Sequence, residues 1–195
     1  MKTKDFLKKY DACSKGAKWA LSIGEEMDDV WNAMVEQGKY DWLLWTSTRQ
    51  GVFQDSSLRK LVCRFIRQTP LSNGRTVWDL LEDERSRKAV EVAELYADGK
   101  ATSEELKNVS EAARGAYNDT AADDGASFAA AAAVRASASD HSYAATDAAR
   151  DTAYATIFAA AYDTDDAAVK AAAKVAQAQM IAEMGNPFKE ERTEK

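Results

Sequence analysis

AADDGASFAAAAAVRASASDHSYAATDAARDTAYATIFAAAYDTDDAAVKAAAKVAQAQMIA, residues 121–182, is the stretch that sets the fold class. Alanine fills 27 of its 62 positions, and every acidic residue from Asp119 to Asp166 is aspartate. Alanine loses no side-chain entropy in a helix and has the highest helix propensity, so the stretch predicts helices. Small side chains also let helix axes approach near the short end of the usual range of about 8 to 10 Å. Regularly spaced aromatics and capping residues separate it from a disordered low-complexity tract. The prediction is an all-α chain, a compact helical bundle whose Ala-rich C-terminal half forms a closely packed antiparallel set.

Three helices are predicted here: Ala126 to Ser137, Asp140 to Tyr162, and Thr164 to Met184. Thr164 as N-cap, with Asp165 and Asp166 in the first turn, satisfies orphan amides and complements the helix dipole. Gly185, Asn186 and Pro187 form an equally clear stop. On the middle helix, at 100° per residue from Tyr143, Tyr154 falls at about 20°, Asp147 at about 40°, Asp140 and Phe158 at about 60°, Asp151 at about 80° and Tyr162 at about 100°. One face is therefore tyrosine, phenylalanine and aspartate, while the others are largely alanine. Aspartate is a poor mid-helix residue, so its exclusive use points to a role beyond solubility. Asp140, Tyr143, Asp147, Asp151, Tyr154 and Tyr162 are the candidate partner-binding residues, because tyrosine is enriched at interface hot spots and aspartate meets Arg or Lys. The alternative is that this face docks onto the chain's own basic front half.

The front half is helical as well, with apolar residues recurring at three and four. Phe6, Tyr10, Cys13, Ala17 and Leu21 make one stripe, with Thr3 a candidate N-cap. Met27, Val30, Trp31, Met34 and Val35 make the next, ended by Gly38. YDWLLWT, residues 40–46, is apolar on several sides and is expected to be the central, most buried element. Leu58, Leu61, Val62, Phe65 and Ile66 form a further stripe, capped by Ser56 and Ser57 and stopped before Pro70. TPLSNGRTVWDLL, residues 69–81, holds a Pro and an Asn-Gly pair, which marks a turn and a subdomain seam, with a short helix from Val77 to Leu81. Helices then run from Glu84 to Gly99 and from Thr102 or Ser103 onward, the latter with Glu104 and Glu105 in its first turn. The expected organisation is a Trp-rich subdomain over 1–100, an Ala-rich acidic subdomain over 101–188 sharing its core, and a disordered charged tail over 189–195.

Charge divides along the same line. Residues 1–88 carry 16 Lys+Arg against 13 Asp+Glu, residues 89–188 carry 7 against 16, and the chain nets −6. Opposite signs serve docking of the halves and solubility, and the acidic half is also suited to a basic partner. The net charge is wrong for an ordinary DNA binder, and no helix-turn-helix with a basic recognition helix is evident. His141 is the one histidine, which excludes His-based triads and two-His metal sites within one chain. No Gly-rich phosphate loop occurs, and Asp163, Asp165 and Asp166 read better as a helix cap than as metal ligands. No catalytic residue, metal or cofactor is expected.

Cys13 and Cys63 fall in apolar stripes and are expected to be reduced and partly buried. No segment approaches the roughly 18 to 20 apolar residues that span a bilayer, so a soluble cytoplasmic protein is the expectation. All five tryptophans fall in the first 78 residues and are expected to build a core. Arg64, Arg67, Arg75 and Arg85 either pair with acidic residues such as Asp79, Asp83 and Glu84 or form a second candidate patch for an acidic partner or phosphate.

DACSKGAKWAL (11–21), Trp31 and YDWLLW (40–45), followed by an Ala-rich helical half, resemble the immunity proteins of bacterial polymorphic toxin systems. Uncharacterised bacterial and phage proteins share this arrangement. DERSRKAVEVAELYADGKATSEEL (83–106) and MGNPF (184–188) resemble uncharacterised bacterial proteins with a similar Gly-Asn-Pro-Phe ending, although Lys189 stands where related endings often have Arg. The resemblance implies a small helical protein that binds and neutralises another protein: a toxin with a basic surface or, if phage-encoded, a host defence component. It carries no catalytic residue. The alternative from a different class is a scaffold that self-associates into a homo-oligomer through its Ala-rich helices.

Overall fold

A computed structural model describes residues 1–119, 144–162 and 166–189. The predicted helix over 126–137, the positions of Asp140, His141, Tyr143 and Thr164, and the tail beyond Lys189 lie outside the described residues. Those described form an all-α bundle. Helices α1 (Thr3–Lys9), α2 (Ser14–Ile23), α3 (Met27–Glu36), α4 (Tyr40–Ser47) and α5 (Asp55–Gln68) precede a 3₁₀ turn (Val77–Leu80). Helices α6 (Glu84–Ala97), α7 (Ser103–Asp119), α8 (Ala144–Ala161) and α9 (Ala167–Ala182) follow it.

The YDWLLWT segment is heavily buried, with Tyr40, Leu43, Leu44 and Thr46 inside, but the central element is α5. Helix α4 is eight residues long, about 12 Å, and packs chiefly on α3 and α9, with Trp42 against Trp19 of α2 and Trp45 against Phe6 of α1. The 14 residues of α5 touch α6, α8, α9 and the 3₁₀ turn. They do so because α5 is apolar on more than one side. Leu61 and Phe65 enter the main core with Phe6, Trp31, Leu43 and Leu44; Cys63 and Ile66 enter a second core with Val77, Val90 and Leu106; Leu58 and Val62 meet Ala145 and Ala149 of α8. Alanine at those α8 positions lets the two helices lie close together. The Ala-rich helices thus contribute to the same cores as the Trp-rich front, with Ala153, Ile157, Ala173, Met180 and Ile181 in the main one.

Four local readings are corrected. The stripe from Phe6 to Leu21 is not one helix, because Asp11 adopts φ +49° and separates α1 from α2. The break rotates the phase, so Leu21 is 55% exposed and Ala20 is buried in its place. Cys13 becomes the N-cap of α2, exposed, with its Sγ accepting from the Gly16 amide at 3.4 Å. Helix α5 begins at Asp55, with the extended Gln54 as its cap residue, so Ser56 and Ser57 lie inside its first turn. Thr3 is the first residue of α1 and fully buried, and Lys2 precedes it as the cap residue.

Helix ends follow capping chemistry. Gly38 and Gly99, at φ +60° and +71°, close α3 and α6 through paired amide bonds to the last turn, as from Gly99 to the Tyr96 carbonyl and from Lys100 to the Leu95 carbonyl. Thr76 with Asp79, and Thr102 with Glu105, form capping boxes. The Thr76 amide holds the Asp79 carboxyl below its ordinary value of 3.8, and the Thr102 amide holds Glu105 below 4.5. Each group is more easily deprotonated folded than unfolded, so its contribution is present above the ordinary value and lost as pH falls through the folded one. The thermal midpoint is therefore expected to hold from neutrality to about pH 4.5 and to fall below it. A midpoint that stays flat or rises as pH drops further would contradict this.

Two tertiary features fix the C-terminal helix. Gln177, buried on α9, donates from Nε2 to Thr156 Oγ1 at 2.7 Å, Thr69 Oγ1 at 3.1 Å and the Ala153 carbonyl at 3.2 Å, while its Oε1 accepts from the Tyr40 hydroxyl at 2.6 Å. Burial pushes the Tyr40 phenol well above its ordinary value, which keeps it a donor. After Gly185, Asn186 Nδ2 donates to Asp28 Oδ1 at 2.7 Å and Asn32 Oδ1 at 3.0 Å, and its Oδ1 accepts from the Phe188 amide at 2.9 Å. Phe188 is thereby inserted edge-on against Phe6 and Trp31, at ring distances of 5.3 and 6.0 Å.

Candidate partner-binding face

Helix α8 is embedded in the bundle. Ala145, Ala148, Ala149, Thr152, Ala153, Thr156, Ile157, Ala159, Ala160 and Ala161 are buried, and the alternating small residues are what let it fit between α5 and α9. Its exposed positions are Asp147, Asp151, Tyr154 and Phe158, with Tyr162 directly after the helix. Spacings of 4, 3, 4 and 4 place them on one stripe. Tyr154, Phe158 and Tyr162 are 51%, 54% and 43% exposed, and the last two rings stack edge-on at 5.4 Å. Four of the six candidate partner-binding residues, Asp147, Asp151, Tyr154 and Tyr162, therefore share this solvent-facing stripe, together with Phe158.

Arg150 alters the electrostatics in a way the helical wheel did not capture. Its guanidinium lies 3.2 Å from both Asp147 Oδ1 and Asp151 Oδ1. Arg49 lies close by, held below the usual guanidinium range chiefly by partial burial and then by Arg150, with Asp147 opposing. The upper end of the stripe is thus a mixed charge cluster, and its lower end is aromatic.

Tyr154 also borders a cavity of about 210 Å³. Phe6, Met27 and Met34 are among its lining, with Trp19, Trp42 and Trp45 as aromatic walls. Trp31 is the fully buried tryptophan; Trp19, Trp42, Trp45 and Trp78 are half-buried, because their indoles lie at seams between helices. Lys39 lies over the Trp19 and Trp42 rings at 6.0 and 5.8 Å, and Arg49 lies over Trp45 at 5.0 Å. Cys13 is on the cavity wall and Cys63 is in the second core, where burial pushes its thiol up to about 12. An aromatic disulfide reagent is expected to titrate one thiol in the native protein and two after unfolding. Fast modification of both in the native state would show that Cys63 is not buried.

The arginines of the second candidate patch are all engaged within the chain. Arg67 makes a two-pronged pair with Glu94, at 2.6 and 2.9 Å, and its guanidinium lies 4.0 Å from the Trp78 ring centroid. Arg64 pairs with Glu183, Arg75 donates to the Asp79 carbonyl, and Arg85 bridges Asp83 and Asp119. Arg85 thereby ties the start of α6 to the end of α7, over Gly115, where an added Cβ would sit 3.3 Å from the guanidinium.

Among the described residues no group of three His, Cys, Asp or Glu is placed to hold a metal ion, and no helix is long and apolar enough to cross a membrane. Asp166, one of the three aspartates at the start of α9, serves as its N-cap, its carboxylate accepting from the Ala168 amide at 2.7 Å. Comparison of the chain with protein-family models, with curated proteins and with solved structures finds no match.

Proposed function

We propose that the protein acts by stoichiometric binding of another protein, which it neutralises, and that the α8 stripe is the contact surface. The observation that carries this reading is the exposure of three aromatic side chains in one row, Tyr154 and Phe158 on α8 and Tyr162 just after it, continuous with the exposed Asp147 and Asp151. Large aromatics left in water cost solubility without adding to the fold, and clustered exposed apolar side chains mark interaction sites. Tyrosine and phenylalanine flanked by exchangeable ion pairs are the composition of an interface centre and rim. The exposed Asp147–Arg150–Asp151 cluster is worth little to the isolated chain, so its carboxylates are available to a partner's Arg or Lys. The cavity beside Tyr154 offers a preformed place for one apolar side chain of that partner.

The sequence resemblance to immunity proteins supports a toxin or host defence component with a basic surface as the target. Self-association through alanine faces has less to draw on, since the alanines of α8 are already packed inside the protomer.

Capture from lysate of the source cell tests the reading. The wild-type chain is expected to retain a partner at near-equal stoichiometry, and Asp147→Arg combined with Tyr154→Ala is expected to lose it while circular dichroism stays unchanged. Both positions are exposed, so each substitution should shift stability by no more than about 0.5 kcal/mol. Retention of the partner by the double variant would remove the stripe as the site.

A further inference from the structure

A second surface adjoins the tryptophan-lined cavity, sharing Asp41 and Trp42 with it. A groove of about 730 Å³ runs between α4 and α9, flanked by the end of α3, and none of its lining residues comes from α8. Val35, Leu43, Val175 and Ala178 give it apolar walls. Val175 is 67% exposed and Val35 38%. Single exposed valines are ordinary, but here two from different helices line one groove.

Charge selects the occupant. Lys15, Lys39 and Lys174 line the groove against one carboxylate, Asp41. Lys174 Nζ lies 3.0 Å from Asp41 Oδ1 in an exposed pair, and among the described residues neither Lys15 nor Lys39 has a carboxylate at ion-pair distance. The rim is therefore positive in a chain that nets −6. Local positive charge against the overall sign, around an apolar floor, complements a ligand that is apolar on one side and acidic on the other.

Shape selects its class. Val175, on the α9 wall, is largely in water, so the groove is open along that side and suits a rod laid along it better than an enclosed ligand. An amphipathic helix laid in a groove between two helices buries its apolar face and keeps its charged flanks at the rim. We propose that the α4–α9 groove is a docking site for an acidic amphipathic helical segment of a partner protein. The groove takes no lining residue from α8, although Asp41 and Trp42 are common to it and to the cavity beside Tyr154.

The test uses the full chain and a fluorescent peptide about four turns long, with leucine along one face and glutamate elsewhere, followed by anisotropy. Saturable binding is expected. Val175→Glu, which places a carboxylate on an exposed wall, is expected to weaken it about tenfold or more, as is the pair Lys15→Glu and Lys39→Glu. The same peptide with lysine in place of glutamate is expected to bind about tenfold more weakly still. Circular dichroism of each variant checks that the helices persist. Equal binding of the acidic and basic peptides, an unchanged affinity in Val175→Glu, or no saturable binding of the acidic peptide overturns the proposal. Displacement of the peptide by dodecanoate also overturns it, and assigns the groove to a small amphiphile.

Discussion

Phe188→Ala is expected to lower the free energy of unfolding by about 3 kcal/mol, the lower end of the range for deleting a buried phenylalanine. The ring is 8% exposed and wedged edge-on between Phe6 and Trp31, two of the largest fully buried side chains. Removing it leaves a void bounded by α1 and α3, whose positions are set by other contacts and which cannot collapse freely. Against a total stability of about 5 to 15 kcal/mol the loss is large. Urea titration measures it, with an unchanged slope showing that the cost is in packing. Asn186→Ala should cost less, about 1 to 2 kcal/mol, because it removes hydrogen bonds to Asp28, Asn32 and the Phe188 amide without opening a cavity. A loss below about 1 kcal/mol for Phe188→Ala would mean that the Gly-Asn-Pro-Phe element does not dock as described.

Gln177→Leu is expected to cost about 2 to 4 kcal/mol even though the side chains are close in size. The substitution strands the Tyr40 hydroxyl, which gives its proton to Gln177 Oε1 in a buried setting, and removes the amide donor to Thr69 and Thr156. Tyr40→Phe should cost less, since it leaves a single acceptor unpaired. The informative measurement is the double variant. With both Tyr40 and Gln177 replaced, the sum of the single costs should exceed the observed loss by about 1 kcal/mol or more, because residues of one network couple. Additive costs would show that the two side chains do not share a hydrogen bond.

The helical class was legible because alanine propensity and caps act locally. Gly38, Gly99 and Gly185 terminate helices for reasons readable within a few residues, as do the Thr76 and Thr102 capping boxes. The break at Asp11 was not legible, since an aspartate at positive φ leaves no compositional mark and the apolar stripe runs straight through it. The preference for α4 as the central element failed for a similar reason. Hydrophobic density along the chain does not reveal reach, and α5 is central by having apolar residues on several faces and the length to use them.

At the candidate site, the stripe on α8 followed from helical periodicity alone. Its charge did not, because Arg150 is adjacent in sequence to Asp151 and joins the face by the reach of its long side chain. The seam between Tyr154 and the tryptophan-lined cavity joins distant segments and had no local signal. Gln177 had a faint one: it stands in the Ala173, Gln177, Ile181 row of α9 at a position where an apolar residue would otherwise sit.

The position of α8 in the chain has a consequence for synthesis. Leu58 and Val62 of α5 wait for Ala145 and Ala149, and the Tyr40 hydroxyl waits for a glutamine 137 residues further on. A nascent chain that has emerged only through α7 presents an uncovered α5 seam to solvent or to any chaperone nearby, and cannot close it by local pairing. Productive folding is thus tied to the late arrival of the alanine-rich segment. A ribosome stalled before it would hold a protein with an open core, sensitive to protease at the helices that the finished molecule protects best.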